Sequence, residues 1–339
     1  MQSNDELFME KQKNMEEINW GIIGCGDVTE VKSGPAFNKV ANSKLVAVMR
    51  RDAAKAADYA KRHGVTKWYN DVSNLINDPE VNAIYIATPP LQHEEYTIAA
   101  LAAGKPVYVE KPMALNSAAA QRMAEASEKY GVKLVVAHYR RAQPLFLKIK
   151  SLLEENAIGD VRFVDLKMLQ PMASDIIANS EENWRINPAI SGGGLFHDLA
   201  PHQLDLMLYY FGEATNFRGL ASKQDVSAPV ADLVTGHIQF DNNVVFNGLW
   251  CFSAPKTEQL DSCEIYGSNG KITFSVFGQY IKININGKEE ILHFEPLQHV
   301  EQPMIEQVVA YFKGEGENPC SAEEALKTMK IMDAFTKAD

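Results

Sequence analysis

The chain has 339 residues, 46% hydrophobic and 23% charged, a length and balance that fit two globular domains and exclude a disordered or fibrous polypeptide. A formal net charge of −11 repels phosphate backbones and anionic lipid, so neither nucleic acid nor a membrane surface is expected as a partner. Cys25, Cys251, Cys263 and Cys320 are too scattered for a zinc site or a disulfide scaffold, which predicts reduced thiols, a cytoplasmic location and no metal.

Residues 1–17 are charged and rich in Met, Lys and Glu, lack the apolar core of a secretory signal, and read as an extension with no assignable role. No later stretch holds the roughly eighteen uninterrupted apolar residues of a membrane span. From Ile18 short apolar runs alternate with helix-length amphipathic stretches, the pattern of βαβ units around a parallel sheet. Strands are predicted over Asn19–Ile23, Lys44–Met49, Asn82–Ala87, Pro106–Glu110 and Lys133–Ala137. Helices are predicted over Asp52–His63, Leu91–Ala103 and Asn116–Tyr130, the last two stopped by Gly104 and Gly131.

The first strand runs into Gly24-Cys25-Gly26-Asp27-Val28-Thr29, a Gly-x-Gly between strand and helix. There the first glycine permits a tight turn and the second lets the backbone approach a pyrophosphate held by helix N-terminal N–H groups. Thr29 stands where a third small residue is usual, and Gly34-Pro35 interrupts the helix that follows. The second strand ends at Met49-Arg50-Arg51, where NAD-binding domains carry an acid for the ribose 2′-OH. Arginine suits a 2′-phosphate, so NADP(H) is expected in slight preference to NAD(H). Two more loops end strands on the binding edge: Thr88-Pro89-Pro90 with His93 beyond, and Glu110-Lys111-Pro112.

The alternation fades after His138, and a boundary is placed near 140, giving a Rossmann domain over 18–140 and a substrate and oligomerisation domain over 141–339. A helix near Pro144–Glu155 precedes a strand near Val161–Leu169 and a long loop. In Gly192-Gly193-Gly194-Leu195-Phe196-His197-Asp198-Leu199-Ala200-Pro201-His202, Pro201 is best tolerated in a first turn, so a helix is expected from about Asp198 to Phe211. Asp198 and His202 then share one face, and a carboxylate beside an imidazole suits a general base; the plain alternative is an N-cap and a half-buried polar residue. Strands over Thr235–Phe240, Val244–Cys251, Cys263–Tyr266, Lys271–Phe277 and Tyr280–Ile285, separated by Asn- and Gly-rich turns, predict an antiparallel sheet. Helices over Met304–Phe312 and Ala322–Thr336 close the chain. The fold class is therefore α/β: a parallel Rossmann sheet plus a second α/β domain with a large, mostly antiparallel sheet.

Taken together, Gly24-x-Gly26, Thr88-Pro89-x-x-x-His93, Glu110-Lys111-Pro112 and Gly193-Gly194-x-x-x-Asp198-x-x-x-His202 make the sequence resemble the Gfo/Idh/MocA oxidoreductases over Ile18–Thr336. The resemblance implies hydride exchange between a nicotinamide and a secondary alcohol or carbonyl of a sugar, cyclitol or related polyol. It implies that Lys111 and His202 flank the reacting carbon with Asp198 in support, and that Tyr139, Arg140, Trp184 and Arg185 line the pocket. The cofactor would meet Gly24, Gly26, Asp27, Val28, Arg50, Arg51, Thr88, Pro89, Pro90, His93, Glu110 and Lys111. A homodimer or dimer of dimers is expected, since a large sheet thinly covered by helices must hide its other face. Two alternatives on the same fold are a glycosidase using tightly held NAD for transient oxidation and a nucleotide-sensing regulator.

Overall fold

The computed structural model describes residues 15–172, 184–225 and 228–337, so most of the expected extension 1–17 lies outside the described residues. The chain forms two compact units, one of residues 1–142 with Leu297–Leu326, the other of Gln143–Pro296 with 327–339.

The first unit is built on six parallel strands in the order β3-β2-β1-β4-β5-β6. These are β1 (Ile18–Ile23), β2 (Ser43–Met49), β3 (Lys67–Tyr69), β4 (Ala83–Ile86), β5 (Val107–Val109) and β6 (Leu134–Val136). Ala83–Ile86 and Val107–Val109, central strands, and Leu134–Val136, the edge strand whose Val136 N–H meets the Cys320 carbonyl, are buried throughout, and this is why they read as unbroken apolar runs. The order reverses between β1 and β4, the place where doubly wound sheets open a crevice at their carboxyl edge. Local chemistry sets the helices between strands. Asp52 accepts from the Lys55 N–H to start Ala53–His63, which Gly64 ends at φ 66°; Asn116 caps Ser117–Tyr130, which Gly131 ends at φ 62°. The first helix is only Asp27–Val31, followed by a 3-10 turn over Gly34–Asn38, as the Gly34-Pro35 break implies. Strand β3 was not expected: it is three residues long and half exposed at the sheet edge, too short for a period to register.

The single boundary near 140 needs correction. The hand-over at Ala142 and Gln143 lies close to it, but Leu297–Leu326 returns to the first unit. The helix Gln302–Lys313 buries Met304, Ile305, Val308, Val309 and Phe312 there, with Phe312 5.6 Å from Trp20 and Lys133 Nζ donating to the Tyr311 and Phe312 carbonyls. Each such side chain contributes roughly 1.5–3 kcal/mol on leaving water. An apolar stripe in a sequence announces that a helix docks; it does not say on which core.

The second unit holds eight strands in the order β14-β13-β12-β11-β7-β10-β9-β8, all antiparallel except the β7/β10 pair. They are β7 (Val161–Leu169), β8 (Ala214–Ser222), β9 (Leu233–Phe240), β10 (Val245–Cys251), β11 (Leu260–Gly267), β12 (Gly270–Phe274), β13 (Tyr280–Ile285) and β14 (Lys288–His293). Alternation puts Val164, Leu166, Met168, Phe246, Trp250, Cys263 and Ile265 on a buried face. The helix Leu195–Phe211 lies on it, with Phe196 meeting Trp250 edge-on at 5.2 Å and Gln203 Oε1 accepting from Trp250 Nε1 at 2.9 Å. The other face carries the Asp165–Lys167 ion pair and the stacked rings of Phe163 and Tyr266, and Phe163 and Val245 are 39% and 38% exposed. Among the described residues no helix is long and apolar enough to cross a membrane, and none of the four cysteines forms a disulfide.

Candidate active site

In the first unit three expected loops meet at the strand-order reversal. Gly24 follows β1 at φ 95°, a conformation costly for any other residue, and a Cβ there would lie 2.8 Å from the Thr88 amide nitrogen, so the turn after β1 presses directly on the loop after β4. Gly26 differs: its backbone (φ −131°, ψ −155°) admits any residue, and a Cβ would meet only the Gly24 carbonyl oxygen at 4.0 Å. Among the described residues nothing demands a glycine here, and the space beside it is open. Half-buried Val28 and exposed Asp27 open the short helix beside that space. Thr29, the departure from the glycine pattern, is fully buried, and its hydroxyl donates back to the Gly26 carbonyl at 2.8 Å. A short strand-turn-helix with a vacant glycine face fits the pyrophosphate of a dinucleotide.

Arg50 leaves β2 with its backbone N–H on the Tyr69 carbonyl and its guanidinium Nη1 3.4 Å from the Cys25 carbonyl, so its cation stands against the glycine turn; Arg51 is exposed. Burial pushes the Cys25 thiol up to about 11, against the opposing pull of Arg50, and the thiol is a packing group.

His93 is fully buried, Nε2 lies 2.7 Å from the Thr88 carbonyl and Nδ1 3.0 Å from the Pro112 carbonyl, and burial holds its proton affinity below the ordinary value. The ring lies between the Thr88-Pro89-Pro90 loop and the Glu110-Lys111-Pro112 loop. Glu110 is also buried: Oε1 accepts from the Tyr85 hydroxyl at 2.6 Å and Oε2 from the Lys111 N–H at 3.1 Å. The Tyr85 oxygen reaches Ser33 Oγ at 3.0 Å and Glu301 Oε2 at 3.5 Å, and Tyr108 donates to the same Glu301 oxygen at 3.3 Å. Glu301, Tyr85 and Tyr108 escaped the sequence reading, because a glutamate ahead of an amphipathic helix looks solvated and two tyrosines in apolar strands look like core. Tyr139 and Arg140 begin a buried 3-10 turn after β6, with the guanidinium 5.6 Å from the Tyr139 ring centre.

In the second unit the Gly192–Gly194 run starts the helix earlier than Pro201 suggested. The helix begins at Leu195, not near Asp198, and Pro201 lies inside it. Gly194 at φ 76°, ψ −149° occupies a region open essentially to glycine, and its N–H donates to Ser191 Oγ at 2.9 Å. Carrying Pro201 in the second turn forgoes the backbone bond to the His197 carbonyl. Asp198 is consequently not the N-cap; Gly194 is. Instead Asp198 Oδ2 accepts from Arg185 Nε at 2.8 Å, and the Arg185 guanidinium covers the Trp184 ring at 4.4 Å. Three residues of the predicted set, Trp184, Arg185 and Asp198, are thus brought together. His202, one turn beyond Asp198, is 4% exposed and meets the Phe277 ring edge-on at 5.8 Å. The neighbouring loop residues 173–183 lie outside the described residues.

Residues 18–138 match the model described as oxidoreductase family, NAD-binding Rossmann fold, and residues 146–273 match the GFO/IDH/MocA C-terminal domain. The chain is 50% identical over 319 residues to oxidoreductase P35 of Formosa agariphila, covering 94% of this chain and 98% of that protein. It is 29% identical over 292 residues to the levoglucosan dehydrogenase of Pseudarthrobacter phenanthrenivorans, covering 77% and 74%. Its fold is similar to the crystal structure of aldose-aldose oxidoreductase from Caulobacter crescentus complexed with glycerol, at a TM-score of 0.82, 22% identity and coverage of 94% and 96%. The chain belongs to the Gfo/Idh/MocA family of oxidoreductases, and its first unit is that family's NAD-binding Rossmann fold.

Proposed function

We propose that this enzyme moves hydride between a nicotinamide cofactor, NADP(H) in preference to NAD(H), and a secondary alcohol or carbonyl of a sugar, cyclitol or related polyol. The observation that carries the reading is the convergence of Gly24, Gly26, Thr88 and Glu110-Lys111 at the carboxyl edge of one parallel sheet, where its strand order reverses. When bound, the nicotinamide supplies the hydride acceptor or donor. In this reading His202 takes the proton of the substrate hydroxyl in oxidation and returns it in reduction. Lys111 polarises the same oxygen, and Asp198, fixed by Arg185, supports them. The cation of Arg50 beside the glycine turn supports a 2′-phosphate. The relatives' names, levoglucosan dehydrogenase, 1,5-anhydro-D-fructose reductase and inositol 2-dehydrogenase, support the substrate class. Mixing the protein with each cofactor and a panel of anhydrosugars, aldoses, sugar acids and inositols should change the absorbance of reduced nicotinamide with at least one of them; sugar release with no net change in that absorbance contradicts the reading.

The same proposal includes a homodimer or dimer of dimers. Its support is the open sheet face with Phe163, Tyr266 and Val245, which a second copy would cover. Light scattering at micromolar concentration should give a multiple of the mass of one chain, and the mass of a single chain contradicts it.

A further inference from the structure

Two buried carboxyl groups in the first unit converge on one phenol oxygen. Glu301 is fully buried and Glu110 is 6% exposed, and one phenol oxygen, that of Tyr85, lies within 2.6 Å of Glu110 Oε1 and 3.5 Å of Glu301 Oε2. The second oxygen of Glu301, Oε1, is buried with no hydrogen-bond partner among the described residues. The Tyr85 hydroxyl has one proton to give, so two buried carboxylates meeting on it would leave one charge uncompensated, which favours the acid form for one of them. The donors decide which. Glu110 receives a short bond from Tyr85 and another from the Lys111 N–H, which stabilise a charge, while among the described residues the Glu301 carboxyl has the longer contacts from Tyr85 and Tyr108.

We propose that Glu110 and Glu301 share a single proton, carried by Glu301, so that one fixed negative charge underlies the Glu110-Lys111-Pro112 loop and Glu301 acts as a positioning residue for Lys111. The functional half of this rests on the reading of Lys111 given above; the proton itself does not. Ionising Glu301 places a second charge beside the first inside the core, and the pair separates at the expense of the Lys111 N–H bond. The groups facing Glu301 are Glu110 and Tyr108 at and after β5, Tyr85 on β4, Tyr139 after β6, and Lys32 at the end of the first helix. Burial first, and Glu110 second, hold the Glu301 carboxyl well above the usual carboxylate range. An acid raised in the folded state stabilises fully below its unfolded value near 4.3, and that contribution declines as pH rises towards the folded value.

Infrared spectroscopy of the whole protein tests the proton. At neutral pH the natural protein should show the C=O stretch of a protonated carboxylic acid, moved by 13C-glutamate labelling and missing from Glu301→Gln. The labelled natural protein suffices for this arm even where the variant folds poorly. Between about pH 5 and pH 9 the unfolding midpoint of the natural protein should fall roughly 3–6 °C further than that of Glu301→Gln. The alkaline limb of the hydride-transfer profile should move up by about one pH unit or more in Glu301→Gln, since no second charge can form under Lys111. A missing protonated-glutamate band overturns the shared proton. An unmoved alkaline limb with the band present overturns the positioning role. Full activity in Lys111→Met would remove the reading of Lys111 and leave the infrared band as it was, so the two failures are distinguishable.

Discussion

Arg185 Nε donates to Asp198 Oδ2 at 2.8 Å, with the side chains only 7% and 13% exposed. The bond makes Asp198 an anchored anion in the first turn of its helix, whose cap is Gly194. Asp198→Asn keeps the shape and removes the charge opposite a buried guanidinium, a change of about 3–5 kcal/mol where a buried pair is broken. A clear drop in the thermal unfolding midpoint and in hydride transfer is expected. Were Asp198 acting as a cap, the substitution would be nearly silent, because asparagine caps as well as aspartate.

Arg50 tests the cofactor preference. Replacing it with aspartate turns a cation beside the glycine turn into a charge that repels a 2′-phosphate, so NADP(H) should weaken much more than NAD(H) in calorimetric titrations. Equal losses for both cofactors, or tighter NAD(H) binding by the natural protein, would remove the preference.

His197 gives the second unit an acid sensitivity. It is 3% exposed and pressed on Gly193, where a Cβ would lie 2.1 Å from its ring, and burial lowers its proton affinity from 6.5 to about 4. The unfolded chain binds a proton near pH 6.5 that the folded ring refuses until about pH 4. Stability is therefore complete above 6.5 and lost as pH falls towards 4, by about 3 kcal/mol in all. His197→Gln should flatten that part of the pH dependence of the unfolding midpoint; an unchanged slope would place the acid sensitivity elsewhere. Because the ring is packed in the core, His197→Ala is a stability variant first.

Much of this was legible in the sequence, for stated reasons. The Gly24-x-Gly26 turn, the Gly34-Pro35 break and the Asp52 and Asn116 caps are local chemistry, and each acts where its residues stand. What escaped depended on partners distant in the chain. Nothing near Glu301 signals that it will sit beside Tyr85 and Tyr108, and nothing near His93 signals that its buried ring will lie between the Thr88 and Pro112 carbonyls. The helix starts at Leu195 rather than near Asp198 because the glycine-only backbone of Gly194 fixes the entry and Pro201 is carried inside. The return of Leu297–Leu326 to the first unit depends on Trp20 and Lys133, which an apolar stripe cannot name.

Single-turnover hydride transfer in Lys111→Met and His202→Ala, with cofactor affinity and thermal unfolding measured alongside, tests the central assignment most directly. Lys111 and His202 are proposed to act on the substrate oxygen alone. The transfer step should therefore fall roughly 10²–10⁴-fold in each variant while cofactor affinity stays within a few-fold of the natural protein. Full transfer rates in folded Lys111→Met and His202→Ala proteins would contradict the account.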